Sequence, residues 1–409
     1  MGSENRSDGF FVRNKSVFVM GLLALTIAAI ADLIAGLFLT TMEDILLAIH
    51  GMMIMIYCAI GMRGNIFGAM GSRLGTSMHM GTFKMTFKKN SVLRSNVEAA
   101  LALTLSLSII MGVVGWVVTV VFFGPTIDPF RFVFISLVGG ILAGAIVVIF
   151  NIIIAYVGFK RDWDVDNITA PLIAAAGDIA TVPMIFVATL MQEAIADDWI
   201  IYAVCIILTV VSIYVMVSIL LRKNRRRKRM NEAKRILRQS TPVLLVCMLF
   251  EILAGVVIQN ETDSLVQYAV ILVLLPAFLN EGNALSGMLT SRLSSMLHLG
   301  TLDPTPLPQK GAYENFMLIY ILAAVTFIMI GSAAFGVQPD SLAYVTVIAI
   351  VLIAGMLTTT VINILSYYVA IAATKFNLDP DDHCIPITSS VMDVVGTVIL
   401  VTVIGIILV

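Results

Sequence analysis

The sequence predicts an all-α polytopic membrane protein of about eleven transmembrane helices, built as two parallel five-helix repeats joined by an extra helix. Three observations predict it. The 409 residues are 59% hydrophobic and 12% charged, whereas a soluble domain carries roughly 25% charged residues. The apolar residues gather into runs of the ~20 residues that cross a bilayer. The motifs of the first half also recur in the same order in the second, and such a recurrence signals a duplicated architecture.

The runs lie near 16–40, 44–62, 96–124, 131–159, 170–195, 199–221, 241–259, 264–281, 313–336, 341–373 and 386–409. They divide the chain into a short polar lead (1–15), a first repeat (16–197), a linker helix with a basic segment (198–240) and a second repeat (241–409). Lysine and arginine in the loops set the orientation, because basic loops stay in the cytoplasm. Arg6, Arg13 and Lys15, then Arg63 to Arg94, then Lys160 and Arg161 mark one face. Glu43-Asp44 and Gln192 to Asp198 mark the other. The run Arg222-Lys-Asn-Arg-Arg-Arg-Lys-Arg229 brings the sixth span back to the basic face. It reads as a topology anchor or as a patch for anionic lipid. The N-terminus is then cytoplasmic and the C-terminus outside, in a plasma-membrane protein.

The repeat is legible in motifs. Gly64-Asn65-x-x-x-x-Met70, Ser72-Arg-Leu74 and His79-x-Gly-Thr82 reappear as Gly282-Asn283-x-x-x-x-Met288, Ser291-Arg-Leu293 and His298-x-Gly-Thr301. Asp32-Leu-Ile-Ala-Gly36 matches Glu251-Ile-Leu-Ala-Gly255, and Glu98 is matched to Glu314. Asn151 and Tyr156 match Asn363 and Tyr368, while Pro171 and Asp178 match Pro386 and Asp393. Five spans per unit is odd, so a direct fusion inverts the second copy. The sixth span restores the direction, giving parallel halves about one axis, a pseudo-dimer within one chain.

Asp178 and Asp393 stand first among candidate site residues. Each lies two helical turns past a proline inside an apolar run, and proline suits a helix's first turn. A carboxylate at bilayer depth costs about 2.5–3.5 kcal/mol and is functional by default. Two at matched positions predict one shared cation site. Ala174, Ala175, Ala176 and Gly177 permit close helix contact before Asp178, and Thr388, Ser389 and Ser390 offer hydroxyls before Asp393. Carboxylates with amide and hydroxyl oxygens suit a hard cation. Magnesium fits because it keeps several waters and takes one or two carboxylates; manganese and cobalt fit the same set.

Asp32 and Glu251 form a second intramembrane acid pair, read as an outer mouth, a coupling-ion site or a structural contact. Asn151 and Asn363 are ion ligands or helix–helix glue. Asn65 and Asn283 are expected to end the second spans, or, with the long motif around them, to serve the ion pathway. Asp166, Asp381 and Asp382 sit before helix N-termini, as caps or as a gate. Glu98 and Glu314 read as first-turn acids, and His79 and His298 as polar contacts. Cys58, Cys205, Cys247 and Cys384 are too scattered for a disulfide framework or a zinc site.

The Gly-Asn-x₄-Met and Ser-Arg-Leu stretches resemble the MgtE-type magnesium transporters. So do the two Pro…Asp segments ending at Asp178 and Asp393. The two-unit arrangement is similar to solute carrier family 41. The resemblance implies a path lined by the second and fifth spans, with the fifth-span aspartates, here Asp178 and Asp393, as principal magnesium ligands. It also implies Mg²⁺ as transported substrate and Na⁺ as coupling ion. Only a short polar lead precedes the first span, so the cytoplasmic sensor domains of the bacterial branch are not expected. An intramembrane aspartyl protease also needs two aspartates, but the residues around Asp178 and Asp393 lack its companion motifs. A proton-coupled carrier of organic solutes needs more intramembrane polar residues than the acid pairs supply. No enzyme activity is expected.

Overall fold

A computed structural model describes residues 10–88, 91–161, 165–222, 232–376 and 385–408. The described residues are helices joined by short connections, as lipid requires: a backbone crossing hydrocarbon must satisfy its own N–H and C=O groups. The first half holds α1 (Phe10–Thr41), a short α2 (Glu43–Ala48), α3 (Met52–His79), α4 (Val92–Phe123), α5 (Pro129–Arg161) and α6 (Val165–Ala194). The linker helix α7 (Asp198–Leu221) follows. The second half holds α8 (Glu232–Asn260), a short α9 (Thr262–Val266), α10 (Ala269–His298), α11 (Lys310–Val337), α12 (Tyr344–Phe376) and α13 (Ile385–Leu408). Eleven of these are long and apolar enough to cross a membrane.

The halves clasp each other through their first helices. Helix α1 packs on α10 and α11 of the second half, and α8 packs on α3 and α4 of the first. Each first helix also packs on the fifth of its own half, α1 on α6 and α8 on α13. Glycine makes the crossings close. A Cβ at Gly36 would collide with the Val273 carbonyl, and one at Gly255 would lie 2.7 Å from Ile54 Cα. The linker α7 stays at the periphery with few of its residues buried, as expected of a helix that faces lipid.

A single register relates the halves from α1 into α4: Asp32 to Glu251, Gly36 to Gly255, Ile54 to Val273, Arg73 to Arg292, Asn96 to Asn315. Its clearest mark is a duplicated lock. Arg73 Nε donates to Asn96 Oδ1 at 2.9 Å, and Arg292 Nε to Asn315 Oδ1 at 2.8 Å. The glycine of each His-x-Gly-Thr motif then stops its helix. Gly81 has φ +65° and Gly300 φ +67°; the next residue's N–H reaches back to Ser77 O or Met296 O, each at 3.0 Å. This is a left-handed glycine C-cap, which a side chain disfavours.

Several sequence expectations change. Helices α3 and α10 continue for several turns past the expected span ends at 62 and 281, to His79 and His298. Asn65 and Asn283 therefore lie inside helices and end nothing. The polar stretch escapes a hydropathy reading because these two helices are the most enclosed of the eleven spans. Arg63, expected in a basic loop, is buried within α3. Helix α6 starts at Val165, so Asp166 sits in its first turn and Pro171 well inside it. Asp381 and Asp382 lie outside the described residues. Glu98 and Glu314 each lie beyond the first turn of their helices. They also fall out of the register that equates Asn96 with Asn315, so they are not counterparts. Glu98 instead pairs with Arg94 at 2.7 Å and with Arg222, at the end of the linker helix.

Candidate cation site

Where α1 crosses α6, Ala28, Ala31 and Ala175 are small enough for the helices to close. This brings two acids together: the Asp32 and Asp178 carboxyls lie within hydrogen-bonding reach of each other. At the equivalent crossing of α8 and α13, Glu251 and Asp393 do the same. Asp32, Asp178, Glu251 and Asp393 are 1, 2, 2 and 7% exposed, so none faces lipid. Two carboxyl groups in such contact need a proton or a cation between them, because like charges at that range repel strongly.

The donors around these pairs come from both halves. Asn280 Nδ2 of α10 donates to Asp32 Oδ2 at 2.7 Å. Asn283 Nδ2, nearly a turn further, donates to Asp393 Oδ1 at 2.8 Å. Asn65 Nδ2 of α3 reaches Glu251 Oε1 at 3.4 Å and Ser390 Oγ at 3.0 Å. Ser390 Oγ donates to Glu251 Oε1 at 2.8 Å, and Ser389 Oγ to Asn65 Oδ1 at 3.0 Å. Beyond the facing carboxyls, Asp32 Oδ1, Asp178 Oδ2 and Asp393 Oδ2 are buried without a partner. Asp178 also lies within the electrostatic range of Asp393 and Glu251, so the two pairs share one acidic region. Among the described residues, no three His, Cys, Asp or Glu side chains converge tightly enough to hold a bare metal ion. Carboxylate pairs flanked by amides and hydroxyls suit a cation that retains part of its water shell.

The expected residues therefore divide. Asp178 and Asp393 each face the first-helix acid of their own half, which joins Asp32 and Glu251 to them as partners. Ser389 and Ser390 tie down Asn65 and Glu251. Asn151 and Asn363 are buried on α5 and α12, with Asn151 Oδ1 and both polar atoms of Asn363 unpartnered. Asn65 and Asn283, equated by their Gly-Asn motif, do different work. They fall one position short of the register that relates the two halves, so they point about 100° apart around their helices.

Sequence reasoning missed Asn280, Glu281 and Arg63. Asn280 is the register counterpart of Gly61, where a Cβ would run into the Glu251 carboxyl; both positions face the first-helix acid. Glu281 is buried with Oε1 unpartnered, near Asp32. Arg63 donates Nη1 to Ala59 O at 2.9 Å, with Nε and Nη2 unpartnered. The signal for all three was charge and amide immediately past an apolar run, the place where a helix was taken to end.

A family model described as "Divalent cation transporter", MgtE, matches the chain twice, over residues 56–188 and 275–403. The chain is 22% identical to rat (Rattus norvegicus) solute carrier family 41 member 3, over 92% of this chain and 84% of that protein. It is also 22% identical to the mouse (Mus musculus) protein of the same name, over 83% and 72% respectively. No solved structure matches. With the family model covering most of both halves, the chain belongs to the MgtE family of divalent cation transporters.

Proposed function

We propose that this chain carries Mg²⁺ across the plasma membrane at the acidic region formed by Asp32, Asp178, Glu251 and Asp393. The carrying observation is the pairing of four buried carboxyls at equivalent helix crossings, with unpartnered oxygens and amide donors from both halves. Their oxygen-only chemistry favours a hard divalent ion that keeps its waters over a soft one. Asn65, Asn280 and Asn283 orient the carboxyls. Asn151 and Asn363 offer further neutral oxygens or amides along the path, and Asp166, Asp381 and Asp382 receive the ion at the basic, cytoplasmic face.

The pseudo-dimer makes one chain sufficient for a complete path. The coupling ion is Na⁺, exchanged for Mg²⁺. In proteoliposomes, Mg²⁺ flux should require Asp178 and Asp393, and normal flux in both Asp178→Asn and Asp393→Asn overturns the site. Replacing external Na⁺ by a large organic cation should stop the flux; unchanged flux converts the exchanger into a uniporter or channel.

A further inference from the structure

Behind Asp393 the second half buries a group of open oxygens. Among the described residues, Asp393 Oδ2 and Thr397 Oγ1 on α13, Thr358 Oγ1 and both polar atoms of Asn363 on α12, and Asn283 Oδ1 on α10 are buried without a partner. These three helices pack on one another. Thr358 reaches the other two at once: its Cγ2 lies 3.7 Å from where a Cβ of Gly282 would stand and 3.8 Å from where one of Gly396 would. Gly282 precedes Asn283, and Thr397 stands one turn from Asp393 on the same face of α13. Asn283 Nδ2 donates to Asp393 Oδ1 at 2.8 Å, so two of the open oxygens belong to adjoining groups. Thr181, Thr189, Thr326 and Thr359 each donate to the carbonyl four residues back, the ordinary outlet for a helical hydroxyl. Thr358 and Thr397 do not. Buried polar atoms left in this way are costly, and several together mark an ion or ordered water.

The first half does not repeat the set. Helices α5 and α12 are each 33 residues long, and equating their ends also equates Gly140 with Gly355. The same offset carries Pro171 to Pro386 and Asp178 to Asp393. In it Thr358, Asn363 and Thr397 fall opposite Ala143, Val148 and Val182. Asn151 falls opposite Ser366, so it is not the counterpart of Asn363. In the register of α3 and α10, Asn283 falls opposite Gly64. Of the five residues only the aspartate is common to both halves.

We infer that the interface of α10, α12 and α13 binds a largely dehydrated monovalent cation of the Na⁺ class, through Asp393, Asn283, Thr358, Asn363 and Thr397. One carboxylate with neutral hydroxyl and amide oxygens balances a single charge. A divalent ion held there would leave one positive charge uncompensated in the interior, which is costly. Protein oxygens that replace a hydration shell suit a monovalent ion. Asp393 also faces Glu251 in the acid pair. Its carboxylate cannot neutralise both an ion in this interface and one between the acids, so the two ions exclude each other. An exchange of Na⁺ for Mg²⁺ requires such exclusion, and here it is built into the second half. The coupling role rests on the exchange proposed above; the binding of the monovalent ion does not.

The test reads binding without transport. The full chain in detergent, free of Mg²⁺, is titrated with NaCl or with choline chloride while its apparent Tm is followed, because a ligand of the folded state raises it. NaCl should raise the Tm saturably and choline chloride should not. In Thr358→Val and in Thr397→Val the Na⁺ concentration for half the rise should increase about tenfold or more. Thr358→Ser keeps the hydroxyl and should keep the original midpoint. Equal curves for the two salts assign the open oxygens to buried water and overturn the inference. An unshifted midpoint in both valine variants also overturns it, as does a Thr358→Ser midpoint shifted as far as that of Thr358→Val, which would reduce the effect to packing. Na⁺ should also raise the Mg²⁺ concentration that gives half of the Mg²⁺-dependent rise; indifference to Na⁺ overturns the shared carboxylate. A Na⁺ response that depends on Thr358 and Thr397, beside normal Mg²⁺ flux in Asp178→Asn and Asp393→Asn, leaves this site standing and removes only the Mg²⁺-site reading.

Discussion

The Asp32–Asp178 pair and the Glu251–Asp393 pair occupy the same place in the two halves, yet they are dressed differently. The first accepts one amide, from Asn280, and keeps an open oxygen on each aspartate. The second accepts from Ser390, Asn65 and Asn283, which leaves only Asp393 Oδ2 open. The backbone register is conserved between halves while the donors are not. Both halves carry the costly element, an acid at each helix crossing, and differ in the surrounding amides. The pair with fewer donors has more lone pairs for a cation to satisfy. The pair with more donors is the better stabilised without one.

The largest expected effect tests whether both pairs are needed. Asp178→Asn and Asp393→Asn should each reduce Mg²⁺ flux in proteoliposomes to background, and Asp178→Asn should be the more severe at limiting Mg²⁺. A severe Asp393→Asn beside a mild Asp178→Asn would reverse the order argued from the open oxygens. Next comes the amide that serves only one pair. Asn65→Ala leaves Ser389 and Glu251 short of a partner at about 1–2 kcal/mol, so the Mg²⁺ concentration for half-maximal flux should rise about five- to thirtyfold. An unchanged value would mean that the donors around Glu251 do not affect the ion.

Smaller effects probe the scaffold that the halves share. Arg73→Ala and Arg292→Ala each strip the partner from an asparagine, Asn96 or Asn315. Each should cost about 1–3 kcal/mol, seen as a lowered apparent Tm in detergent. Similar losses in both are expected from matched geometry, and a loss in only one would break the equivalence of the halves there. The smallest effect belongs to Glu98→Gln. Its ion pairs with Arg94 and Arg222 are partly exposed, so about 1 kcal/mol or less is expected, measured by the same melting assay. A larger loss would make the α4–α7 contact a support of the first half that the second half lacks.

Much of the fold was legible, and the reasons are local. Spans announce themselves because hydrocarbon demands some twenty apolar residues in sequence. Asp32, Glu251, Asp178 and Asp393 stood out because an acid in such a run has few explanations. The extent of α3 and α10 was not legible. Innermost helices face protein instead of lipid, so Arg63, Asn65 and Asn280 to Asn283 sit in them and make the pattern look like a loop. The match of Asn65 with Asn283 stands one residue out of the register of the flanking motifs, and only the unbroken helices α3 and α10 with their Arg–Asn locks show that no insertion absorbs the difference.

By itself the sequence determined the number of spans, the duplication and the acids set inside apolar runs. Those follow from composition and periodicity, which each stretch carries whatever its neighbours do. Only the tertiary structure decided that each fifth-helix aspartate faces the first-helix acid of its own half, and that amides cross between halves to hold them. These depend on which helix faces which, and at what angle. One residue's shift around a helix redirects a side chain by about 100°.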